Sequence, residues 1–131
     1  MAKQFKYGVS KRCEVAGAHQ LQLPYESKCK SPHGHNWIVT TEIGGDVLLR
    51  HGMLIDFSII KNVVMGLDHA FLNDILDFNP TAESIAEDLA DRIQGAIDDV
   101  WGAGHAMRPR VTKVTVQESE GNIAWHSPII E

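Results

Sequence analysis

Two kinds of segment are missing from this chain: an apolar run long enough to cross a membrane, and a run of basic residues. No apolar stretch approaches the ~18 residues that mark a spanning helix, and the polar start Met1-Ala2-Lys3-Gln4 is not expected to open a signal peptide. Lysine and arginine total 12 against 17 aspartate and glutamate, a net charge of −5 with no basic cluster. That balance argues against a nucleic-acid surface, whose affinity comes from clustered cations. Cysteine is scarce, with only Cys13 and Cys29. In a leaderless chain these are expected to be free thiols in a reducing cytoplasm rather than a structural disulfide. Repeats and linkers are also absent, so residues 1–131 are expected to form one domain. At that length the chain can bury a core without staples.

What is present reads as an α+β pattern. Phe5 to Val15 is a first strand, and Cys13, Val15, Gly17 and His19 share one face if Gly17 introduces no bulge. Leu21 to Pro32, with two prolines, is a loop. A second strand runs from about His33 to Ile43. Turn residues at Gly44-Gly45-Asp46 and Arg50-His51-Gly52 suggest a hairpin, with Met53-Leu54-Ile55 as its return. Asp56 is an N-cap for a helix with Phe57, Ile60, Val63, Val64 and Leu67 at helical spacing. Thr81 caps a second helix whose stripe is Ala82, Ile85, Ala86, Leu89, Ile93, Ala96, Ile97 and Val100. Arg110 to Ser119 alternates as a strand, with Thr112, Val114, Val116 and Glu118 on one face, and Ile123 to His126 is the last strand. Two strands, two helices and two strands imply helices packed on one face of a sheet.

The chemistry concentrates in Cys29-Lys30-Ser31-Pro32-His33-Gly34-His35-Asn36-Trp37. If the strand begins at His33, then His33 and His35 stand on one face with Cα atoms about 6.5–7 Å apart, within reach of one metal ion. Gly34 lets a ligand or strand approach the backbone. His19, projecting from the end of the first strand, is a candidate third ligand. Cys29 sits between Lys28 and Lys30, two cations that favour a thiolate. The plainer alternatives are strand-end histidines bonded to water and an inert thiol. Glu118 ends a buried row, an unusual place for a carboxylate without a partner; otherwise it is a surface glutamate at the end of a strand.

These residues together resemble the 6-pyruvoyl-tetrahydropterin synthase/6-carboxy-tetrahydropterin synthase family. The resemblance rests on Ala18-His19-Gln20-Leu21, on Cys29-x3-His33-Gly34-His35-Asn36-Trp37, on Leu67-Asp68-His69-Ala70-Phe71-Leu72-Asn73-Asp74, on Asn79-Pro80-Thr81-Ala82-Glu83-Ser84 and on Val116-Gln117-Glu118. Three residues between the cysteine and the His-Gly-His, as here, are typical of the carboxy-forming members of the queuosine pathway; pyruvoyl-forming members typically have five. One departure stands before His19, where Val15-Ala16-Gly17-Ala18-His19 replaces the usual Phe-x-Ala-Ala-His. It alters packing beneath the metal but removes no ligand.

The resemblance implies the tunnelling fold (T-fold), a four-stranded antiparallel sheet with two helices on one face. Two trimeric barrels stack into a homohexamer with active sites at subunit interfaces, so that Cys29 and His69 meet a Glu118 from another chain. The implied substrate is 7,8-dihydroneopterin triphosphate. Three neutral imidazoles, His19, His33 and His35, make a catalytic zinc site with an open position. Cys29 is the base, Asp68-His69 a second acid/base pair, and Glu118 the carboxylate that accepts from the two parallel donors of the pterin edge. Adjacent residues seldom face each other, so whether Asp68 touches His69 or bonds the backbone is open. Lys28, Lys30, Arg108 and Arg110 are the cations available to the triphosphate, whereas His51, His105 and His126 read as surface residues. Two alternatives remain: pyruvoyl synthesis from the same substrate, and a non-catalytic zinc module in which Cys29 is the fourth ligand.

Overall fold

The computed structural model describes residues 4–128 and residue 130. Its centre is a pair of thirteen-residue antiparallel strands, β1 (Tyr7–His19) and β2 (His33–Gly45), in unbroken register from Tyr7 opposite Gly45 to His19 opposite His33. Gly17 therefore introduces no bulge, and strand parity carries from the core to the histidines. Cys13, Val15, Trp37, Val39 and Ile43 all face inward and are buried. β4 (Arg110–Ser119) pairs with β2, and β5 (Asn122–His126) with β4.

A fifth strand corrects the four-stranded expectation. Ala70–Phe71, here β3, lies parallel to Gly17 and Ala18 of β1, so the sheet is mixed, in the order β3-β1-β2-β4-β5. A parallel neighbour needs a crossover, and residues 46–69 supply it. This crossover also replaces the expected hairpin: Leu49 N–H donates to Met53 O and Gly52, at φ +91°, turns the chain, but no strand forms there.

The helices start where their caps predict. Asp56 Oδ1 accepts from Ser58 N at the head of α1 (Phe57–Val64), and Ile60 and Val64 are buried. A single turn, α2 (Leu72–Ile75), follows β3. Thr81 Oγ1 accepts from Ser84 N at the start of α3 (Ala82–Trp101), which buries Ile85, Ala86, Leu89, Ile93 and Ile97 and leaves Val100 exposed. The helices pack on the inward face, in one core with Val111, Val114 and Val116.

One core position is out of character. Thr41 is fully buried on the inward face of β2, and its hydroxyl has no hydrogen-bond partner among the described residues. Leaving a hydroxyl unsatisfied costs about 1–3 kcal/mol. Thr41→Val is expected to raise stability by about 1 kcal/mol, or about 3–5 °C in Tm for a chain of this size. A lower Tm by calorimetry would show that the hydroxyl is satisfied.

Candidate metal centre

The register places three imidazoles together before any metal is considered. His19 lies opposite His33, and His35 is two residues along the same face, so the rings are a cross-strand pair and its diagonal neighbour. Their centroids are 4.5 Å (His19–His33), 4.8 Å (His33–His35) and 5.2 Å (His19–His35) apart. The carboxylate of Glu118 joins them, and the four ligand atoms lie within 4.8 Å of one another.

Backbone carbonyls set two of the rings. His19 Nδ1 lies 2.8 Å from Pro80 O and His33 Nδ1 lies 2.8 Å from Ser31 O. A carbonyl only accepts, so each Nδ1 carries the proton and each Nε2 is left bare, the arrangement that orients a metal-binding histidine. His19 Nε2 and His35 Nε2 are buried without a hydrogen-bond partner among the described residues. Glu118 Oε1 is 3.2 Å from His35 Nε2, but not in hydrogen-bond geometry, and Oε2 is 4.0 Å from His19 Nε2. A bare Nε2 on His19 and a second buried, unpartnered Nε2 on His35, converging beside a carboxylate, fit a divalent cation that favours nitrogen and oxygen ligands.

Burial lowers the pKa of both His19 and His35 below the ordinary histidine value, with the bond to Pro80 O and the charge of Glu118 opposing it. The rings stay neutral in the fold while the unfolded chain takes up protons below about pH 6.5. Stability of the metal-free protein is therefore complete above that pH and falls as the pH drops from there through the folded-state pKa values. Melting of chelator-treated protein between pH 7.5 and 5 is expected to show a steady fall in Tm below 6.5; a flat profile would mean that the rings are solvated.

Trp37 packs beneath the site. Its indole N–H donates to Gly17 O at 3.0 Å, and its ring meets His19 and His35 edge-on at 4.8 and 5.2 Å. A Cβ at residue 17 would lie 3.4 Å from the indole nitrogen. That is an ordinary contact distance, so a small side chain at residue 17 would fit against the tryptophan.

The other expected residues are placed less uniformly. Cys29 lies in the short turn Lys28–Lys30, half-buried, and its sulfur is not among the converging ligand atoms. Asp68 and His69 do touch: Asp68 Oδ2 is 2.8 Å from His69 Nδ1, while Oδ1 accepts from Ala16 N. Adjacent residues can do this because His69 adopts φ +56°, a left-handed conformation that strains a non-glycine residue. The N–H of Ala16, followed by the bond to His69, holds the Asp68 carboxyl below its usual pKa. The His69 ring itself is 83% exposed.

Glu118 sits with the His19, His33 and His35 rings of its own chain. A recess of about 300 Å³ lined by Glu83, Glu118 and Gly121–Ala124 opens beside it. Arg110 opens β4, about 26 Å from Glu118 at ~3.3 Å per residue, and Arg108, just before the strand, is paired with Asp98. Lys28 and Lys30 flank Cys29, and Lys30 Nζ lies 3.6 Å from Glu26. His51 and His105 are exposed, and His126 lies 4.0 Å from Glu87. Sequence reasoning missed two asparagines, Asn73 and Asn79, whose side chains grip the segment leaving His19.

The family model described as 6-pyruvoyl tetrahydropterin synthase matches residues 8–128. The chain is 28% identical to the 6-carboxy-5,6,7,8-tetrahydropterin synthase of Bacillus subtilis, across 95% of this chain and 87% of that protein. It is also 28% identical to the enzyme of the same name from Aquifex aeolicus, across 71% and 72%. Among solved structures, Caenorhabditis elegans 6-pyruvoyl tetrahydropterin synthase superposes with a TM-score of 0.71 at 21% identity, covering 94% of this chain and 96% of that one. The architecture is thus the T-fold, with the short parallel β3 as an addition to the expected sheet.

Proposed function

The chain belongs to the 6-pyruvoyl tetrahydropterin synthase family, and from that premise we propose that it is a zinc-dependent lyase. Its reaction converts 7,8-dihydroneopterin triphosphate to 6-carboxy-5,6,7,8-tetrahydropterin with release of acetaldehyde and triphosphate, a step of queuosine (7-deazaguanine) biosynthesis in the cytoplasm. The observation that carries this reading is the convergence of the His19, His33 and His35 rings on one point, with two orphaned Nε2 atoms. The carboxy branch is supported by the three residues between Cys29 and His33 and by the names of the Bacillus and Aquifex relatives.

Zinc held by His19, His33 and His35 would supply Lewis acidity to the vicinal hydroxyls of the substrate side chain, acidifying the adjoining C–H bonds. Cys29 takes up the proton as base. Its backbone is fixed at both ends: its N–H donates to Ser27 Oγ at 3.1 Å, and its carbonyl accepts from Leu21 N at 2.7 Å. Asp68, ionised, holds the Nδ1–H of His69, leaving Nε2 free to give or take a proton. Glu118 accepts the ring N–H and exocyclic NH₂ of the pterin seated in the recess beside it. Lys28 and Lys30 meet the triphosphate.

The assembly we propose is a homohexamer, a dimer of trimers with sites at subunit interfaces. It is supported by the open sheet edge at β5, where Ile123 and Trp125 are exposed. It is also supported by an acid/base pair whose histidine is held in strained backbone yet left in solvent.

The test is one incubation of the zinc-loaded protein with 7,8-dihydroneopterin triphosphate, followed by mass spectrometry. Acetaldehyde with a 6-carboxytetrahydropterin is expected. A 6-pyruvoyl product assigns the other branch of the family, and no turnover with zinc bound refutes catalysis.

A further inference from the structure

We propose that Asn73 and Asn79 are positioning residues that hold the Cys29 turn in register with the metal ligands; the catalytic part of this inference rests on the lyase reading above. After His19 the chain leaves the sheet but stays in line. Gln20 N–H donates to Asn73 Oδ1 at 2.9 Å, and Asn73 Nδ2 donates to Gln20 O at 2.9 Å. Two residues on, Gln22 N–H donates to Asn79 Oδ1 at 2.9 Å, and Asn79 Nδ2 donates to Gln22 O at 3.0 Å.

A side-chain amide carries an acceptor and a donor side by side, as a peptide group does. Each asparagine therefore pairs with alternate residues of an extended segment as a neighbouring strand would, since residues i and i+2 present their N–H and C=O to the same edge. Leu21, between them, points to the opposite edge, where its N–H meets Cys29 O at 2.7 Å. The segment is thus gripped on one side by two asparagines and grips Cys29 on the other. Pro80, next to Asn79, supplies the carbonyl that orients His19. One stretch, Asn73 to Pro80, fixes a metal-binding ring and the backbone of the thiol-bearing turn in the same frame.

The experiment compares Asn73→Ala, Asn79→Ala, Asn73→Asp and Asn79→Asp in the full chain, loaded with zinc. The aspartates keep the acceptor for the glutamine N–H and lose the donor to its carbonyl, and they decide the matter if an alanine variant fails to fold. The readouts are hydrogen exchange of residues 20–23 by mass spectrometry, iodoacetamide labelling of Cys29 with buried Cys13 as internal control, zinc content, and kcat against KM. Exchange and labelling are expected to speed up in all four, more in the alanine than in the aspartate variants, with zinc retained. A loss in kcat of about tenfold with KM within about twofold is expected, because a small misplacement of a reacting group costs rate rather than binding. Unchanged exchange and labelling across the four variants overturns the proposal, whatever kcat does. If exchange and labelling respond but the unaltered zinc protein turns over no pterin, the anchoring stands and the lyase reading falls.

Discussion

His33→Ala is expected to leave the fold standing and remove the metal. His33 is half-exposed at the start of β2, and its Nδ1 partner, Ser31 O, lies at the surface, so truncation opens no core cavity. His19 would be a poorer choice, since it is fully buried and its loss would strand Pro80 O. Groups that merely orient a ligand are each worth about 10–100-fold in metal affinity, so loss of a ligand itself is expected to cost on the order of 10³-fold or more. Pterin turnover should fall in proportion at limiting zinc. Competition against a chromogenic chelator, alongside melting of the metal-free protein, separates the two effects. Affinity within tenfold of the unaltered protein would show that the ion sits elsewhere.

Glu118→Gln is the second large effect, and it distinguishes two roles. The carboxylate lies 3.2 Å from His35 Nε2 and also faces a recess, so it is placed to be either a fourth ligand or the pterin anchor. Glutamine keeps one acceptor but presents a donor where the pterin also has one. Two hydrogen bonds to a charged acceptor are worth about 1.5–3 kcal/mol each, so the loss of substrate affinity is expected to be on the order of 10²–10³-fold, with zinc content unchanged. Pterin binding at the unaltered strength refutes the anchor. A parallel collapse of zinc affinity would make Glu118 a ligand instead.

The parts of this molecule that could be read from residue order are those with a period. α3 carries its apolar stripe over twenty residues and a threonine cap, and alternation along β1 and β2 carries His19, His33 and His35 to one face. Parity likewise put Glu118 in the Val114–Val116 row. Two residues have no period, so β3 was invisible, and residues 46–55 mimicked a hairpin with turn signals that serve a crossover. The contact between Asp68 and His69 depends on a left-handed backbone at a histidine, where neither glycine nor asparagine flags it. The asparagine grips join residues more than fifty positions apart through single side chains, a pairing that leaves no pattern along the chain.

In the proposed site three imidazoles hold one ion while the sulfur of Cys29 stays free. X-ray absorption at the zinc edge of the loaded protein tests it directly. The expected result is a shell of nitrogen and oxygen alone near ~2.0–2.1 Å, unaltered in Cys29→Ala; a scatterer at ~2.3 Å that disappears in that variant would place the thiolate on the metal and contradict the three-imidazole site.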